Sequence, residues 1–204
     1  MPVWTWKAKM KLLQLQKRSM ALAGSILTVY LVFHMLSNLT FFAGSAFENF
    51  YEFYNQAWLR WPLLIIVLAC LGIHIKAAIA IRMKNSQARK QSYYKHDKLH
   101  IPANLVSLSV VLLFVFIAVH IIQSLLIDTE AVKLAVMTWF SSTTMVLFYL
   151  AGIFILVMHL QHSLVNVMQT LGITSNIYKL AIISGVMLLG LGFAAIPVYV
   201  WVMS

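Results

Sequence analysis

Apolar residues along this chain run in long unbroken blocks, without the alternation of a half-buried strand or the narrow stripe of a surface helix. Five blocks reach the length of about 20 residues that a helix needs to cross about 30 Å of hydrocarbon. They run from Met20 to Gly44, Pro62 to Ile81, Ala103 to Leu126, Ala135 to Val167 and Ile177 to Met203. An open strand edge in lipid would leave backbone groups without partners, so the blocks predict an all-α integral membrane bundle of five transmembrane helices. The fourth block is too long for a simple crossing and is expected to project past the lipid before stopping at Gly172. Pro62 and Pro102 stand where helices begin, and Pro197 predicts a kink or a frayed end in the last span. The first block has too long an apolar core for a cleaved leader and is expected to stay in the mature protein. With no repeat and no linker, residues 1–204 read as a single transmembrane domain.

Composition sharpens this reading by exclusion. Of the 204 residues, 62% are hydrophobic and 10% charged, against about 45–50% apolar and about 25% charged in a soluble domain. An ordinary cytosolic globule is excluded, and eight Gly, four Pro and the lone Cys70 cannot supply collagen or a disulfide framework. The net charge of +10 is explained by where the cations fall. Lys7, Lys9, Lys11, Lys17 and Arg18 precede the first span; Arg82, Lys84, Arg89, Lys90, Lys95 and Lys98 occupy the second connection, and Lys179 the fourth. The opposite side keeps Arg60 and Lys133 together with Glu48, Glu52, Asp128 and Glu130. The positive-inside rule therefore puts the N-terminus in the cytoplasm and the C-terminus outside. Lipid is the partner this pattern calls for, and a nucleic-acid surface is not needed to explain it.

Histidine supplies the candidate chemistry. His96 and His100 belong to the basic loop, but His34, His74, His120, His159 and His162 lie inside spans, where an ionisable group is costly and marks function. Counted from span midpoints at 1.5 Å per residue, His34 and His120 lie about 3 and 8 Å outward, and His74 and His159 about 4 and 12 Å inward. Two layers result, each with imidazoles from two different helices. Two facing neutral imidazoles suit the two axial positions of a haem iron, and an iron so held has no open site, so electron transfer is the expected chemistry. Layers about 13 Å apart would carry electrons across the membrane. Interhelical hydrogen bonding is the plainer role for any one of these histidines. His162 shares a face with His159 and competes for the ligand role, though it lies deeper toward the cytoplasmic edge. Arg18, Lys76, Arg82 and Lys179 could neutralise propionates or snorkel to headgroups, and Asn38 could serve a ligand's outer contacts or pack between helices.

Several segments resemble the cytochrome b membrane anchor of succinate dehydrogenases and fumarate reductases, of the single-anchor, five-helix, two-haem type. They are His34-Met-Leu-Ser-Asn38-Leu with Gly44-Ser-Ala-Phe-Glu48-Asn49, then His74-Ile-Lys-Ala-Ala-Ile with Asn85, Ala88-Arg89, Tyr93 and Tyr94, and finally His159-Leu-Gln-His162-Ser with Gln169-Thr-Leu-Gly172. The resemblance covers nearly the whole chain, although the third span matches only through His120 and its apolar run. It implies two b-type haems, one held by His34 and His120 and the other by His74 and His159, so that these four residues are both the cofactor-binding and the iron-ligating set. It further implies a quinone substrate, an FAD-containing flavoprotein and an iron–sulfur subunit on the cytoplasmic face, and a place in the bacterial inner membrane. The subunit itself would bind no dicarboxylate. Some quinol-oxidising relatives place a Glu two residues before the fourth-span ligand, where this chain has Val157. Direction of turnover is left open, as is a role for Glu48 and Glu52 in quinone proton exchange. A cytochrome b anchor of another quinone-linked dehydrogenase or a hydrogenase is the nearest alternative, followed by a transporter and a purely structural anchor.

Overall fold

The computed structural model describes residues 3–88, 103–170, 172 and 175–204, and for 3–11, 86–88, 103–107 and 170 the backbone alone. His96, His100, Pro102, Tyr93, Tyr94 and the cations Arg89, Lys90, Lys95 and Lys98 lie outside the described residues. All regular structure described is helical: α1 Val3–Leu39, a 3-10 turn Thr40–Phe42, α2 Ala46–Tyr54, α3 Ala57–Ala88, α4 Ala103–Leu126, α5 Val132–Phe140, α6 Thr143–Thr170 and α7 Asn176–Met203. Five of these carry apolar stretches long enough to cross a bilayer, at Leu12–Phe42, Ala57–Asn85, Leu108–Leu126, Thr143–Gln169 and Asn176–Met203. The chain is thus all-α and a multi-pass membrane protein. Large aliphatic side chains stand in the open along these helices, among them Val29 at 70% exposure and Leu188 at 66%, a surface that lipid would cover and water would not tolerate.

Three boundaries differ from the expected ones. α1 begins well before Met20, because Leu12 to Arg18 is rich in good helix formers that carry the helix past its apolar part. α3 starts at Ala57, which leaves Pro62 in its second turn instead of at its beginning. The fourth block is two helices. It breaks at Ser141 and Ser142, where the Ser141 hydroxyl donates to the Thr138 carbonyl at 2.8 Å and ends α5, so hydroxyl side chains take over bonds the backbone would otherwise make. α6 then stops at Thr170, and Gly172, with φ of +80°, donates its N–H to the Gln169 carbonyl at 3.0 Å, a helix stop that needs a left-handed residue. Pro197 is buried inside α7, which continues to Met203 instead of fraying there.

The residues gather into two compact units, Met1–Val32 with Ala57–His100, and Phe33–Gln56 with Ile101–Ser204. In the first, side chains link α1 and α3, and the small or branched Ala23, Ala77 and Ile81 are buried. Lys84 Nζ donates to Gln16 Oε1 at 2.7 Å across this pair.

In the second unit α6 packs along α7 and against α4, while α5 bridges α6 and α7. Its core is aromatic: Phe41, Phe47, Phe140 and Tyr149 join Val146, Ile196 and Val200. Phe140 meets Tyr149 edge-on at 4.9 Å between ring centres, a favoured aromatic geometry. The connection after the first span is the helix α2, docked by Phe47, which is 2% exposed. Tyr51 on α2 donates its hydroxyl to Asn38 Oδ1 at 2.6 Å. That contact settles Asn38 as an amide joining the end of α1 to α2. Burial, and then the neighbouring Tyr54, hold the Tyr51 hydroxyl above its usual range, so it remains a donor. Glu48 pairs with Lys133 on α5 at 3.1 Å. A backbone hydrogen bond, then the bond to Lys133, keep its carboxyl below the usual range.

Tyr51→Phe should lower stability by about 1–2 kcal/mol by leaving the Asn38 oxygen unanswered, measured as thermal unfolding in detergent, with Phe47→Ala as the larger reference loss. Glu48→Gln tests the ion pair. Because the carboxyl is depressed in the fold, its contribution is present above the unfolded value and lost as pH falls through the folded one. The small melting difference between wild type and Glu48→Gln should therefore vanish on acidification, and also in high salt.

Candidate functional site

Of the span histidines, His74 lies in the first unit and His34, His120, His159 and His162 in the second. Each is described within its own unit. The second unit brings His34, near the end of α1, against His120 on α4, with ring centres 5.8 Å apart and planes at 63°. An ion bound at about 2 Å by one nitrogen from each ring would set the centres about 6 Å apart. The same distance suits an ordinary ring pair, so the hydrogen-bonding state of the rings carries more weight.

His120 is defined by its neighbours. Tyr149 on α6 donates its hydroxyl to Gln123 Oε1 at 2.8 Å, and the same oxygen lies 3.3 Å from His120 Nδ1. Since the tyrosine proton is directed to Gln123, its oxygen faces Nδ1 as an acceptor. His120 therefore carries its proton on Nδ1 and its lone pair on Nε2, the form in which a neutral imidazole ligates a metal. Gln123 is oriented in turn, with Nε2 3.8 Å from Met145 Sδ. Phe116 stacks on His120 at 6.2 Å and 20°, and Phe193 flanks His34 at 5.8 Å.

Space for this arrangement comes from Gly152. A Cβ there would run into the Phe116 ring down to its root atoms, so only glycine lets α4 and α6 approach closely enough to seat Phe116 beside His120.

In the first unit His74 repeats the pattern with a different partner. Its Nδ1 lies 3.1 Å from the Met20 carbonyl on α1. A carbonyl can only accept, so Nδ1 bears the proton and Nε2 the lone pair. Gly24 leaves room for the approach, because a Cβ there would sit a tight 3.1 Å from both Nδ1 and Cε1 of the ring.

His159 is half-buried on α6 and His162 is exposed one turn on. The Asn166 amide donates to His162 Nε2 at 3.0 Å, which occupies that nitrogen's lone pair. Arg18, Lys76, Arg82 and Lys179 are all exposed. Among the described residues no three of His, Cys, Asp and Glu cluster, and His34 and His120 stand together as a pair of imidazole nitrogen donors. The imidazole donors and ring separation at that pair, with the Nδ1 proton of His120, are what two-nitrogen ligation of a haem iron would need.

Sequence reading missed Tyr149, Gln123, Gly152 and the Met20 carbonyl. Gln123 was visible as the amide three residues after His120 in an apolar span; Tyr149 gave no signal among so many aromatic residues, and a backbone carbonyl never does. No protein-family model, curated protein or solved structure matches this chain.

Gly152→Ala should displace Phe116 and destabilise the protein by about 1–3 kcal/mol through overpacking. Thermal unfolding checks this, and Gly152→Ala combined with Phe116→Leu should recover part of the loss.

Proposed function

We propose that this protein is a dihaem cytochrome b membrane anchor of a succinate:quinone oxidoreductase, carrying electrons between an iron–sulfur subunit and a membrane quinone. The observation that carries the reading is the His34/His120 pair, two rings 5.8 Å apart inside an apolar unit, with the His120 proton directed away from the side that would bind iron. His74, held in the same protonation form by Met20, supports a second site, for which His159 is the proposed partner.

When bound, the two b-type haems supply one-electron transfer through the thickness of the membrane. The chain's own part is to present Nε2 lone pairs, exclude water and fix ring orientation. His34 and His120 would hold the outer haem, His74 and His159 the inner one. The segments quoted above support the dehydrogenase assignment, and with it the flavoprotein and iron–sulfur partners on a cytoplasmic face made basic by Lys17, Arg18, Arg82 and Lys84. The asymmetry of charge supports an inward N-terminus in a bacterial cytoplasmic membrane. Glu48, ionised and tied to Lys133, is a weak proton donor for quinone chemistry, which leaves the exposed Glu52 as the better placed of the two acids.

The test is a reduced-minus-oxidised spectrum with pyridine haemochrome quantification on the purified chain, expected to give two b haems. His34→Ala or His120→Ala should remove one haem, and His74→Ala or His159→Ala the other, while His162→Ala keeps both. A wild-type protein without haem overturns the proposal. Copurifying flavin and iron–sulfur subunits support the dehydrogenase anchor, and a hydrogenase subunit in their place overturns that part.

A further inference from the structure

We propose that Tyr149, held by Gln123, is the positioning residue that fixes the protonation form and donor strength of His120. This deepens the reading above and rests on it. Three contacts form a directional chain: His120 Nδ1 lies 3.3 Å from the Tyr149 oxygen, the Tyr149 hydroxyl donates to Gln123 Oε1 at 2.8 Å, and the Gln123 amide nitrogen turns to Met145 sulfur at 3.8 Å.

Direction is what gives the chain its effect. A free phenol can either donate to an imidazole nitrogen or accept from it. In the first case the proton would move to Nε2 and block ligation. Gln123 removes that freedom by taking the tyrosine proton, so the oxygen is left only as an acceptor for Nδ1–H. Gln123 comes from the same helix as His120, three residues on, and so faces the same side. Tyr149 is itself locked, at 6% exposure, between Phe140 at 4.9 Å and Phe116 at 5.5 Å.

An acceptor on Nδ1–H raises the basicity of the other nitrogen, which favours the oxidised form of a bound metal. Removing the acceptor should therefore raise the reduction potential of the outer haem. His74 takes its acceptor from the Met20 backbone, so the inner haem should not respond.

The experiment is a potentiometric titration of the full chain purified from membranes, comparing wild type, Tyr149→Phe and Gln123→Met. Haem content and the low-spin ferric paramagnetic resonance signals are measured on the same samples. Tyr149→Phe should shift the outer haem's midpoint potential upward and alter its resonance signal, with the inner haem unchanged. Gln123→Met, which keeps the tyrosine, should give a smaller shift in the same direction. Should Tyr149→Phe fail to fold, Gln123→Met decides alone. Full haem content with both potentials unmoved overturns the proposal while the dihaem reading survives, as does reduced outer-haem content with an unmoved potential, the mark of a merely structural role. Wild-type protein lacking haem overturns both.

Discussion

Lipid cannot answer a hydrogen bond, and that single fact organises this protein. A polar group inside a span must find its partner within the protein or leave it unmade at a cost of several kcal/mol. The side chains in these helices obey the constraint by turning inward or backward. Thr28 donates to the Gly24 carbonyl at 2.8 Å, and Ser37 to the His34 carbonyl at 2.9 Å. Trp201 near the end of α7 donates to Thr143 at the start of α6 at 3.1 Å. Among the described residues, no buried side-chain nitrogen or oxygen is left without a partner.

The same constraint makes a histidine in a span informative. An imidazole has one donor and one acceptor nitrogen when neutral, and each has to be accommodated. Committing Nδ1 to a protein acceptor determines which nitrogen keeps the lone pair. His74 and His120 reach this state by independent routes, one through a backbone carbonyl and one through a tyrosine whose own proton is spoken for. The routes differ in how they can be altered. A side-chain acceptor can be deleted, whereas a carbonyl can be reached only through the packing that brings it near, which here means Gly24.

Long apolar blocks are nearly context-free, because crossing a bilayer depends on length and composition alone. That is why α4 and α7 lie within one residue of the stretches read from sequence. Where a decision depends on a few local hydrogen bonds, the same reading fails. Nothing in average hydropathy distinguishes a continuous helix over 135–167 from two helices parted at Ser141, since the break is made by hydroxyl groups against carbonyls. The nine residues of α2 are too few to register as an element against the apolar blocks around them, and Phe47 docks into a core assembled from α5, α6 and α7, distant in sequence. The histidines were legible as candidates because charge at membrane depth is rare; their partners were not, because proximity across helices is a property of the packing.

Seen this way, the aromatic density around Tyr149 is part of the site and not only of the core. A phenol that could rotate would average its donor and acceptor roles over His120. Phe140, Phe116 and Phe148 close on it edge-on, and Gly152 admits one of those rings by giving up its own side chain. Protein interiors are too densely packed for a ring so enclosed to turn without moving its neighbours. Core packing in the second unit therefore holds a proton on a chosen nitrogen of His120, so that a change at Phe140 or Phe148, which pack on Tyr149, would be felt in the chemistry of the imidazole.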